Sequence, residues 1–298
     1  MEKPEFVINT EKIYKSFYDE IESIRNTGKL ENHIFQFDEI VVSAYVKCYD
    51  FMLYLCDFER VEDSYFQLPF LRGIYEDLIS ISYLFSLSEK ERNSIILCNQ
   101  IRELKNTLKC QEDYFKKYNP AQSVVPQNVI PELKSYIEHY NENGIEVTKK
   151  YFLKINRMSK KVGLEDLHNY FYRATSNSAH FNIFNLLAMG WGEMNEDKRI
   201  INPTYSHKNN FHQYYKFLFF YTSIIFINQT KNFSSIVDKS TFIESKLKPL
   251  EEGYKLIDWP EIISFEQMNL KRPNGNQNMF FRAFMNILND EKKDKNGR

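Results

Sequence analysis

The stretch FDEIVVSAYVKCYDFMLYL, residues 37–55, decides the fold class. Its apolar residues Phe37, Ile40, Val41, Ala44, Tyr45, Cys48, Phe51, Met52 and Leu55 step by three and four. That spacing lines up one face of a long α-helix, whereas a strand would alternate with a period of two. Upstream, Ile13, Phe17, Ile21 and Ile24 repeat the pattern as a shorter helix. Downstream, a helix is expected from Pro69 to Phe85, with the proline tolerated in its first turn. Ser88 with Glu91 reads as a capping box that opens a long polar helix, closed near residue 118 by Asn119-Pro120.

The same periodicity predicts helices over 132–140, from about Leu164 to Met189, over 206–232 and around Phe280–Leu288. Three prolines between Asn119 and Pro131 mark a loop, and Asn195 to Thr204 reads as a polar turn region. The expected architecture is mainly α: a helical bundle over residues 1–235 and a C-terminal helical extension over 236–298 that ends in the frayed tail NDEKKDKNGR.

Composition narrows the function classes. The chain has 298 residues, with 39 Lys plus Arg against 40 Asp plus Glu, so contact with nucleic acid or membrane must be local rather than a whole-molecule property. Twenty-five Phe and 20 Tyr supply ample core area, while 9 Gly and 9 Pro are too few for a many-stranded barrel or a glycine-rich phosphate loop. Cys48, Cys56, Cys98 and Cys110 lie in apolar periodic segments without the paired short spacing of a zinc site, and are expected as buried free thiols. The apolar run Phe217 to Ile227 is shorter than the roughly 20 residues of a membrane span. The first residues, MEKPEFVINTEK, lack the apolar run of a secretory signal. A cytoplasmic location without membrane contact is the expectation, with no metal site and no cofactor.

Three groups of residues carry candidate chemistry. On the helix expected from Leu164, a core stripe of Leu164, Leu167, Phe171, Ala174, Ser178 and Phe181 runs beside a polar stripe of Arg173, Ser176, Asn177 and His180. Seven residues close two turns, so Arg173 and His180 project on nearly one bearing, about 10 Å apart. An imidazole exchanges protons near neutrality and a guanidinium holds a phosphate, which together suffice for phosphodiester cleavage without a metal, the RNA 2′-hydroxyl supplying the nucleophile. Any long helix offers such pairs, so hydrogen bonds to neighbouring helices are the structural alternative.

Arg72 and Glu76, four apart on a helix face opposite an apolar set of Phe70, Ile74, Leu78, Ile81 and Phe85, form either a structural ion pair or the wall of a polar pocket. Between Lys149 and Lys161 there are six basic residues and no acidic one, and Lys150, Lys154, Arg157 and Lys161 align at steps of four, three and four. Such a stripe either tracks a phosphate backbone or is a solvated face. His33, His139 and His168 have no cooperating neighbours in sequence, and His207 and His212 diverge around a helix.

Two of these segments resemble a bacterial family known only as domain of unknown function 5677. The likeness rests on Leu71-Arg72 with Tyr75-Glu76 followed by ISISYLF, and on MSKKVGLEDLHNYFYRATSNSAH, residues 158–180. In the second, a Lys-Lys-x-Gly turn precedes a helix bearing Tyr172-Arg173, Ser176 and His180. Arg173 and His180, separated by six residues, are also similar to the Arg-x4–6-His signature of the HEPN superfamily, although Ala174 stands where that signature commonly has a polar residue. The resemblance implies a HEPN-like bundle and a homodimer. In such a dimer Arg173 and His180 of both copies meet in a cleft and cleave RNA, in a toxin or phage-defence system with an antitoxin or defence partner. It implies that Arg173 clamps phosphate, His180 acts as acid or base and Ser176 and Asn177 orient them, while Arg72 and Glu76 fix the pocket and Lys150, Lys154 and Arg157 steer RNA. Since HEPN-like proteins include non-catalytic members, the alternative is a helical module that binds a nucleotide, small anion or protein partner without turnover.

Overall fold

The computed structural model describes residues 5–26, 37–125, 138, 152–179, 186, 189–194, 196, 200–234, 236–237, 239–255 and 259–263. These are mainly helical. In chain order the α-helices are α1 (Glu5–Lys15), α2 (Tyr18–Asn26), α3 (Phe37–Asp57), α4 (Leu68–Phe85), α5 (Glu89–Tyr118), α6 (Ile155–Lys161), α7 (Glu165–Ala179), α8 (Phe211–Phe233) and α9 (Ser240–Tyr254), with a 3₁₀-helix over Val61–Gln67. The expected helices at 132–140 (Glu138 apart) and 280–288 lie outside the described residues, as do His33 and His139.

The described chain falls into two compact units. The first comprises residues 1–33, 38–78 and 164–298, the second 34–37 and 79–163. In the first unit α8 is the central helix. The run Phe217–Ile227 is almost continuously apolar, and a helix that is apolar all round must be buried on every side. Leu218, Phe219, Ile225 and Phe226 are accordingly fully buried. The Phe226 ring stacks on Tyr45 of α3 at 4.9 Å and lies 5.6 Å from Tyr14 of α1 and 5.8 Å from Tyr49. Three tyrosine hydroxyls taken into this core find acceptors: Tyr45 donates to the Thr230 hydroxyl at 2.6 Å, Tyr49 to the Tyr14 carbonyl at 2.8 Å and Tyr215 to the Leu55 carbonyl at 3.0 Å.

The C-terminal part contributes to this same unit. In α9, Ile243, Leu247, Leu250 and Tyr254 are buried, and the helix packs against α8 and α1. Residues 240–254 therefore share a core with α8.

Four details differ from the sequence reading. The first apolar repeat is two helices, because the chain turns at Ser16–Phe17 while Phe17, Ile21 and Ile24 all stay buried. The region from Gly190 to Tyr205 holds an antiparallel hairpin, Gly190–Met194 (β1) against Ile200–Tyr205 (β2), with a bulge between Trp191 and Glu193. Two glycines and Pro203 hide its strand character, and the Asn209 amide secures its end by donating to the Met189 and Thr204 carbonyls. Ser88 caps α5 by position, yet its hydroxyl donates to the Glu91 carboxylate at 2.9 Å and makes no bond to the backbone. Cys110 is exposed, since the polar outer face of α5 turns it away from Cys98 and Ile101, whereas the other three cysteines are buried free thiols as expected.

The second unit is built on α5, whose Ile95, Ile96, Cys98, Ile101 and Leu108 are buried. The Arg92 guanidinium sits 4.1 Å from the centre of the Phe37 ring, which in turn meets Phe85 edge-on at 4.9 Å. No helix among the described residues is long and apolar enough to cross a membrane.

Phe226 touches three buried rings, so Phe226→Ala is expected to lower stability by about 3–5 kcal/mol, read as the shift in a urea unfolding curve. A change below about 1 kcal/mol would contradict the central place of α8.

Candidate functional site

Helix α7 is set up by a turn that only glycine makes without strain. Gly163 has φ of 72°, in the left-handed region, and separates α6 from α7 two residues after Lys161. Acidic Glu165 and Asp166 then occupy the first turn of α7, where the helix dipole favours negative charge.

The buried face of α7 is His168, Phe171 and Thr175, at spacings of three and four. This is a shift of the expected core stripe: Phe171 is common to both, but Leu164, Leu167, Ala174 and Ser178 are only half-buried. The reason is that α7 is held from two sides. Phe171 stacks on Tyr75 of α4 at 5.2 Å and meets Tyr221 of α8 edge-on at 5.1 Å. Beside it Tyr170 packs against Tyr221 at 5.5 Å and Phe217 at 6.1 Å. The Thr175 hydroxyl donates back to the Phe171 carbonyl at 2.7 Å, which satisfies it within the helix.

On α4 the core is likewise turned from the expectation. Leu71, Ile74, Tyr75, Leu78 and Ile79 are buried, whereas Phe70 is 60% exposed and stacks on Phe51 instead. That rotation carries Arg72 and Glu76 to the edge of the α7 contact. Arg72 Nε donates to Glu76 Oε1 at 2.8 Å, and both side chains are about two-thirds to three-quarters buried. The Arg72 guanidinium also lies 5.5 Å from the centre of the Tyr172 ring, a cation–π contact. The carboxylate of Glu76 raises the Arg72 pKa further, so this cation is permanent.

His168 completes the cluster. Its ring is 6.1 Å from Tyr75 and 5.7 Å from Tyr172. Its Nδ1 has no hydrogen-bond partner among the described residues. Burial holds the His168 pKa below its ordinary value, opposed by the nearby Glu76 carboxylate and reinforced by Arg72, and burial pushes the Tyr75 phenol up to about 12. Sequence reading passed over His168 as a lone histidine. The available signal was its position three residues before Phe171 and seven before Thr175, which places it on the buried stripe.

Arg173 occupies the opposite side of α7. Two residues beyond Phe171, it is rotated about 200° from it. It is exposed, and among the described residues no carboxylate pairs with it. Ser176 is half-buried, Asn177 is helical in its backbone, and the Asn177 side chain and all of His180 lie outside the described residues. The structure thus brings Arg72 and Glu76 together with Tyr75, His168 and Tyr172, and sets Arg173 on the outward arc of α7, flanked by Tyr172 on one side and Tyr170 on the other. The far flank is closed by Pro260, whose carbonyl accepts hydrogen bonds from both Tyr170 and Tyr221 at 2.9 Å.

In the second unit Lys154 and Arg157 are exposed, and Lys150 lies outside the described residues. Lys154 does not share a helical stripe with Arg157 and Lys161, because it is the N-cap of α6 with extended ψ of 144°. Lys161 lies 5.6 Å from the Tyr83 ring centre. His207 pairs with Asp63 at 2.9 Å and lowers that carboxyl's pKa, which ties the loop after β2 to the 3₁₀-helix. Among the described residues no three His, Cys, Asp or Glu side chains gather in a way that could hold a metal ion.

Residues 41–199, more than half of the chain, match a family described as a family of unknown function, DUF5677, and the chain belongs to it. Both segments that carried the resemblance, the α4 Arg72–Glu76 turn and residues 158–180, fall inside the match. No curated protein and no solved structure matches the chain.

Because burial holds the folded His168 pKa below its ordinary value of 6.5, the unfolded chain takes up a proton more readily than the folded one. The contribution to stability is complete above about pH 6.5 and is lost as the pH falls below it toward the folded pKa. Urea unfolding at about pH 7.5 and about pH 5.5 should therefore show a smaller acid loss in His168→Phe than in the parent, with His212 contributing equally to both. Identical acid losses would contradict a His168 whose pKa burial lowers.

Proposed function

We propose that this member of the DUF5677 family is a HEPN-like endoribonuclease of a toxin or phage-defence system that cuts RNA without a metal ion. The observation that carries the reading is Arg173. A guanidinium with no carboxylate partner among the described residues, on the solvent arc of a helix whose other side is locked in aromatic contacts, is available to an anion and grows from a backbone held in place.

In this reading Arg173 holds the scissile phosphate. His180 takes the proton of the adjacent 2′-hydroxyl as the 2′-oxygen–phosphorus bond forms. The phosphorus–5′-oxygen bond breaks, and the same proton passes to the leaving 5′-oxygen, leaving a 2′,3′-cyclic phosphate and a 5′-hydroxyl. Ser176 and Asn177 orient the pair, and two copies of the chain bring their α7 arcs to one RNA. Arg72, already engaged by Glu76 and Tyr172, serves to hold α4 and α7 in place. Lys150, Lys154 and Arg157 supply long-range attraction that weakens as salt rises.

The committed state of Arg72 also favours a second reading, a module that binds RNA or a smaller phosphate ligand without turnover. A cation pinned by Glu76 and by a ring organises a surface without taking part in a bond-breaking step.

The purified full chain is expected to degrade single-stranded RNA in the presence of EDTA. His180→Ala should slow this by roughly 10²–10⁴-fold and Arg173→Ala by at least about tenfold, with melting temperatures unchanged. Undiminished cleavage by His180→Ala would reject this site. Binding that depends on Arg173, without cleavage of any RNA tried, would replace the nuclease with the binding module.

A further inference from the structure

Tyr172 is unusual among the rings of the first unit's α7 contact. Phe171 and Tyr75 are buried, but Tyr172 remains 42% exposed directly beside Arg173. It is not loosely attached. The Arg72 guanidinium lies 5.5 Å from its ring centre and the His168 ring lies 5.7 Å away at a tilt of 44°. Arg72 is in turn fixed by Glu76 at 2.8 Å. The ring is thus supported from within the protein while much of it faces solvent. A flat, exposed ring already restrained by its neighbours loses little rotamer freedom when a planar group settles on it. Ser176, four residues on, shares its bearing on the helix to within about 40°, so the ring, a hydroxyl and the Arg173 cation follow one another across the outward arc.

We propose that Tyr172 is a stacking platform for an unpaired base of single-stranded RNA, next to the phosphate contacted by Arg173. This deepens the RNA reading above and rests on it. The chemistry is that of sequence-tolerant single-strand recognition, in which an aromatic face receives a base and a neighbouring cation receives the backbone. Tyr172 is a substrate-contacting and positioning residue, and the Arg72–Glu76 pair acts through it by keeping the ring in place. Recognition by stacking requires a base free of its helix, so duplex RNA is excluded from the platform.

The test is the affinity of the full-length His180→Ala chain for a fluorescent single-stranded oligoribonucleotide, measured by anisotropy, alongside the same oligonucleotide carrying one abasic position. Adding Tyr172→Phe should leave affinity within about twofold, because the aromatic face is retained. Adding Tyr172→Leu, which keeps apolar volume and so spares the α4–α7 contact, should weaken binding by roughly 5- to 150-fold. It should also abolish the difference between intact and abasic probes, at an unchanged melting temperature. If Tyr172→Leu binds as tightly as its parent while Arg173→Ala weakens binding, the platform is refuted and the RNA site stands. If neither substitution changes affinity, or the parent binds no RNA, the RNA reading itself is refuted and the platform with it.

Discussion

The contact of Phe171 with Tyr75 on one side and Tyr221 on the other is the constraint from which the candidate site follows. A helix carrying both an aromatic stripe and an arginine can be docked in only one rotation. Turning α7 by half a revolution would remove burial worth about 2–3 kcal/mol for Phe171 alone. It would also carry the Arg173 guanidinium from solvent into an aromatic core where Glu76 is already paired with Arg72, at a further cost of several kcal/mol. The two terms act in the same direction, so the aromatic contact both holds α7 and decides which of its side chains solvent can reach.

Arg72 in the cluster and Arg173 outside it illustrate how position changes chemistry. Arg72 is drawn partly inside, takes Glu76 as its counter-ion and lends its remaining surface to Tyr172. Its charge is spent locally, which makes it part of the scaffold. Arg173, on the neighbouring helix, is exposed, and among the described residues no carboxylate pairs with it. Burial separates their roles more sharply than sequence could, because both residues follow an apolar or aromatic neighbour in helices of similar pattern.

Much of this was legible from residue spacing. The run 37–55 reads correctly as one long helix, and Pro69 and Asn119-Pro120 mark helix ends close to where they occur. Those signals are local, set by the helical period and by backbone restrictions on proline. What the sequence left open depends on partners distant along the chain. The rotation of α4 that exposes Phe70 and buries Tyr75, and the shift of the α7 core onto His168 and Thr175, arise because α7 is packed from two directions by α4 and α8. A single-helix pattern carries no information on how many neighbours a helix will have. The hairpin at 190–205 escaped notice because its glycines and proline are poor strand formers, and pairing across the turn compensates for them. Family membership adds the expectation of a shared scaffold for residues 41–199, while a function has to be argued from the side chains that the scaffold presents.

The most direct measurement is thiol labelling along α7 in a chain whose exposed Cys110 has been replaced by serine. Single cysteines placed at Asn169 and Arg173 should react with a maleimide at nearly the rate of the unfolded chain. Those placed at Phe171 and Thr175 should remain protected until denaturant is added. Protection at Arg173 with ready labelling at Thr175 would mean that α7 presents its other side to solvent, and the account of this site would be wrong.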